Sequence, residues 1–61
     1  MKMTDVEYAK KMIPHHQMAV DMSKQLLAAA PRPKIKAFAE QVIATQTKEI
    51  AWLKDWLSQN S

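Results

Sequence analysis

The two histidines of this 61-residue chain are adjacent, at His15 and His16, and three of its five methionines, Met12, Met18 and Met22, lie within two helical turns of them. Imidazole ligates copper, zinc, nickel and iron, whereas thioether selects soft ions. A mixed His and Met set in a chain without cysteine therefore favours Cu(I), with Ag(I) as its mimic. Residues three and four apart share a helix face, so Met12 with His15 or His16, and His15 with Met18 and Met22, each offer two or three ligands to one ion. The donor types choose copper more clearly than their spacing does. Pro14 precedes the pair directly; it cannot donate to the Lys10 carbonyl and its ring crowds that carbonyl, at a cost of roughly 3 kcal/mol inside a helix. A local cost beside a polar cluster points to a site, although it equally serves to curve a helix around its core.

The segment that carries these residues reads as a helix. Thr4 and Glu7 form a T-x-x-E capping box, with Met3 and Tyr8 at the two positions of a hydrophobic staple. Tyr8, Met12, His15, Ala19, Met22 and Leu26 recur at alternating steps of four and three, and Val6, Ile13, Val20 and Leu27 recur every seven. Together the two stripes cover close to 200° of the helix at about 100° per residue, more than one neighbour requires. Pro31 and Pro33 bracket Arg32 and stop the pattern, because a residue before proline avoids helical dihedrals. A second helix then carries Ile35, Phe38, Ala39, Val42, Ile43, Ile50, Leu53, Trp56 and Leu57 on a similarly broad face. Trp52 and Trp56, four apart, are placed to pack at the open end near Tyr8.

The expected architecture is all-α and a single domain over residues 1–61: helix 1 over about 5–30, a turn at about 31–33, and helix 2 over about 33–58. Two near-equal helices on a tight turn make an antiparallel hairpin, and its two broad apolar faces are most economically covered by a second copy, giving a homodimeric four-helix bundle. With the turn near Arg32, residues at one height have numbers summing to about 63. His15 and His16 then stand level with Thr47 and Lys48, within one turn of Gln46 and Glu49. Glu49 has no cation three or four residues away in its own helix, so an ionic partner must come from across the hairpin. Behind a ligating histidine, Gln46 or Glu49 would accept the free ring N–H and fix its tautomer.

The same residues carry blander readings. Met12 and Met22 lie in the heptad stripe, where methionine fills core gaps. Met18 falls outside that stripe, yet single exposed apolar side chains are ordinary. A His16–Glu49 pair also serves as a buried hydrogen-bonded contact that only sets helix register.

Composition narrows the remaining classes. No cysteine is present, which removes disulfides and thiolate metal sites. Glycine is absent and proline occurs three times, so strands and hairpin turns lack their chemistry. A chain this short buries only about 60% of its unfolded surface, which again favours a partner. The net charge of +3 is spread over both helices and describes a solvated surface rather than a nucleic-acid face. No apolar run approaches the roughly 18 residues of a membrane span. Met1 to Asp5 lack the apolar region of a signal peptide, so the chain reads as cytosolic or as a mature fragment whose leader is gone.

Met12-Ile13-Pro14-His15-His16, Ala19-Val20 and Met22, followed by Ala39, Ile43, Gln46-x-x-Glu49-Ile50 and Trp56-Leu57, closely resemble the bacterial ferritin-like family catalogued as domain of unknown function three-zero-five. The resemblance covers nearly the whole chain. Members are helical and frequently exported, and include CopM-type copper-binding proteins linked to copper and silver resistance. It implies a ferritin-like bundle, a periplasmic or secreted location, and metal handling by Met12, His15, His16 and Met22, the positions that match the motif. Two features depart from the pattern. Many members carry a second helical pair, which a dimer would have to supply here, and Leu53 stands where methionine is frequent.

Three functions follow as expectations. The leading one is a non-catalytic copper buffer or carrier that needs no cofactor to fold and exchanges its ion with a donor or acceptor protein. The second is a structural dimerisation module in which the His, Glu and Gln residues set register. The third, a di-iron oxidase, is the weakest, because such sites draw four carboxylates and two histidines, and this chain has no Glu-x-x-His motif. No Ser, Cys or Lys nucleophile stands beside a base either.

Overall fold

The structure, a computed structural model, describes residues 2–60 and is built from two helices, α1 (Asp5–Ala28) and α2 (Pro33–Asn60). Among the described residues there is no strand. Helix α1 starts where its cap chemistry places it. Thr4 is extended, its Oγ1 accepts from the Glu7 amide at 3.1 Å, and the Glu7 carboxylate accepts from the Thr4 amide in return. Asp5 and Glu7 add negative charge to the first turn, where the helix dipole favours it. Pro14 is accommodated without ending the helix, and it faces solvent, where water can satisfy the Lys10 carbonyl that loses its amide partner.

The helical pattern reaches Ala30, but α1 ends at Ala28. The Ala29 amide bonds Leu26 and the Ala30 amide bonds Leu27, tightening the last turn. Ala30 then takes a left-handed conformation at φ 54°, the position where helices usually carry glycine. Proline at 31 requires the preceding residue to leave the helical region, and the strained alanine is the local consequence. Pro33 opens α2 as its first residue, where a missing amide costs nothing. The second helix runs on to Asn60, two residues beyond the reach of its apolar pattern.

The helices pack antiparallel, with the buried residues Ala9, His16 and Val20 on α1 meeting Ala39, Ile50 and Leu53 on α2. Ala9 on α1 and Ala39 on α2, both nearly fully buried, let the helices approach closely. No large side chain among the described residues is fully buried. The hairpin is an elongated slab, 41 × 24 × 15 Å, with a radius of gyration of 14.0 Å where a globular chain of this length would have about 10–11 Å. Its two broad sides differ. One presents Gln17, Lys24, Thr47 and Lys54 beside the half-covered core. The other presents Tyr8, Met12, Trp52 and Trp56. Among the described residues no helix is long and apolar enough to cross a membrane.

Candidate metal centre

At the middle of the apolar side, α1 brings His16 against Glu49 of α2. His16 projects along the same stripe as Ala9 and Val20 because seven and four residues are close to whole numbers of turns, so it enters the core. Its side chain is 10% exposed, and its Nε2 lies 3.1 Å from Glu49 Oε1. Protonated at Nε2, the imidazole donates to the carboxylate. Nδ1 is buried without a partner. The Glu49 side chain is 47% exposed and looks into an open groove lined by Tyr8, Met12, His16, Trp52 and Leu53. The contact lies within one turn of the level that the hairpin register predicts for His16.

The sequence candidates divide between two places. Met12 and His16 share the groove with Glu49, Met12 half-buried. Gln46 is half-buried on the same helix as Glu49 but is not bonded to either histidine. His15, Met18 and Met22 stay outside, all exposed, with Met18 at 61% and Met22 at 63%. At about 100° per residue these three span roughly 60° of α1, so they form one strip along the rim of the apolar side. The strip holds one imidazole and two thioethers, chemically suited to Cu(I). Among the described residues no three His, Cys, Asp or Glu side chains are placed to hold a metal ion. A site of three or more protein ligands among these residues would take at least one donor of another type, and the methionines are the soft ones. Trp52, placed by the sequence near Tyr8, lines the groove with Tyr8 and Leu53, and the step of three and four through Phe38, Val42, Thr45, Glu49, Trp52 and Trp56 sets it on the same stripe as Glu49.

The family model for "Domain of unknown function (DUF305)" matches residues 5–61, which includes both helices and the linker. The chain belongs to this family. A relative, "Uncharacterized protein L153" of Acanthamoeba polyphaga mimivirus, is 44% identical over 46 residues, covering 75% of this chain and 30% of the relative. The chain thus spans less than a third of the length of that relative. No solved structure matches the chain. The matched residues include both the Met12–His16 and the Gln46–Ile50 segments, between which the His16–Glu49 contact forms.

Proposed function

We propose that this chain binds copper-type soft ions, Cu(I) and its mimic Ag(I), and buffers or carries them without catalysis, acting as a homodimer that completes a ferritin-like four-helix bundle. One observation carries the copper reading: His15, Met18 and Met22 present three soft or borderline donors side by side, exposed, along one edge of α1. Met12 and His16 lie one turn inward and offer a second imidazole and thioether. The resemblance to CopM-type proteins supports the same ion, and with it an exported location and a protein donor or acceptor of copper.

The test is a competition titration against a colorimetric Cu(I) chelator. Wild type takes up Cu(I) stoichiometrically, and the His15→Ala/His16→Ala double variant loses that uptake. Equal uptake by the two proteins ends the reading.

A second reading has its own observation. The 3.1 Å contact of a nine-tenths-buried histidine with Glu49 is also what a register lock looks like, and such a lock needs no ion. Under that reading the double variant changes melting or oligomeric state, whereas copper leaves the melting temperature of the wild type where it was. The two readings assign different residues, His16 and Glu49 to register and His15, Met18 and Met22 to the ion, so both can hold at once.

A further inference from the structure

The apolar side is larger than a solitary hairpin of this size should leave open. A folded chain of 7.0 kDa is expected to expose roughly 4,000 Å². This one exposes 4993 Å². The surplus, on the order of 1,000 Å², is close to one partner's share of a standard interface, about 800 Å². Its location is specific. Tyr8, Met22 and Leu26 on α1 and Phe38 and Trp52 on α2 are all exposed, with Phe38 and Trp52 more than 60% so, and the stripes they belong to border the same groove. Each stripe alternates steps of three and four, the repeat by which helices of a bundle meet.

A second copy is therefore the occupant that fits, and its symmetry decides what meets in the middle. Two hairpins placed face to face with aligned helices are related by a two-fold axis along the helices or across them. An axis along the helices sets every residue level with its own copy. An axis across them does so at mid-length. His16 and Glu49 lie near mid-length of both helices and border the groove between them. Either arrangement brings the two His16–Glu49 pairs together on the axis.

Unaided, that meeting is unfavourable, because two carboxylates would face each other as water leaves. We infer that the two pairs share one divalent ion of the Zn(II) type, each chain supplying His16 Nε2 and Glu49 Oε1. Neighbouring ligands of a tetrahedral zinc, at bond lengths of 2.0 to 2.2 Å, stand about 3.3 Å apart. The 3.1 Å between Nε2 and Oε1 is already close to one edge of that tetrahedron, so the ion takes the place of the shared proton with little movement, the neutral imidazole then carrying its proton on Nδ1. One chain holds two of the four ligands and two chains hold all four. The imidazole is nine-tenths buried with its Nδ1 unpartnered, so Nε2 is its polar outlet toward this groove. This inference rests on the homodimer proposed above; of the copper donors it takes only His16 as a ligand, and Met22 enters only as part of the apolar side.

Native mass spectrometry and sedimentation of wild type and Glu49→Gln, each with and without Zn(II), test it, with helicity by circular dichroism confirming that the variant folds. Expected is a wild-type dimer carrying one Zn(II), its dissociation constant lowered about tenfold or more by the ion. Glu49→Gln dimerises without zinc at least as well and no longer responds to it. A wild type that stays monomeric with and without zinc overturns the homodimer, and this inference with it. A dimer that takes up no zinc, or one whose zinc response survives Glu49→Gln, overturns the shared site while leaving the homodimer standing.

Discussion

His16 Nε2 stands 3.1 Å from Glu49 Oε1 at the middle of the hairpin, joining the two helices across an otherwise apolar seam. His16 is the single buried polar side chain among the described residues, so removing its partner leaves a core imidazole unsatisfied. Glu49→Ala should cost about 1–2 kcal/mol. The coupling between the two residues in a double-mutant cycle should be smaller, about 0.5–1 kcal/mol, because Glu49 is half exposed and keeps water when alone. Thermal or urea denaturation of the four proteins reads both numbers. Strictly additive losses would remove the contact from the stabilising set.

Ala30 offers a gain rather than a loss. Its φ of 54° places a Cβ where only glycine is at ease, just past the end of α1. Ala30→Gly should relieve that clash and stabilise the hairpin by about 0.5–1 kcal/mol, even after the extra freedom of glycine in the unfolded chain is subtracted. The urea midpoint should rise with an unchanged slope.

Thr4 tests the opposite end of α1. Its Oγ1 holds the Glu7 amide at 3.1 Å, and no other side chain caps that amide. Thr4→Ala should cost about 1 kcal/mol, and Thr4→Asn only a few tenths, since asparagine caps as well. An equal loss for both would mean that the threonine methyl, not its oxygen, is what matters there.

The two exposed methionines separate the copper reading from packing. Neither Met18 nor Met22 is buried, so Met18→Leu/Met22→Leu should keep helicity and shift stability by less than about 0.5 kcal/mol. The same variant should weaken Cu(I) binding about tenfold or more while leaving a Zn(II) response intact, because leucine retains the shape and lacks the sulfur. Chelator competition for each ion gives the comparison, and unchanged Cu(I) affinity would move the ion inward to Met12 and His16.

Much of the fold is legible in the chain itself. The capping box, the heptad stripes and the paired prolines are local signals that act within a few residues, and they sufficed for two helices, the first starting at Asp5 and the second at Pro33. The inward placement of His16 was legible too, because a wheel sets it with Ala9 and Val20, whereas His15, expected in the apolar stripe, is exposed. Tertiary structure decided the rest. Where α1 ends depends on how Ala30 turns ahead of Pro31, and the packing of α1 on α2 brings Glu49, not Gln46, to His16. Which broad side is left apolar, and that the described residues assemble no carboxylate and imidazole cluster of three, depend on distances across the seam that no periodicity contains. Periodicity gives the angle of a side chain about its own helix, whereas a site requires the height and rotation of one helix against another. Those are set by packing. The stretch from Met12 to Met22 supplies the donors, and the packing of α1 on α2 parts them into a rim of soft ligands and a central pair.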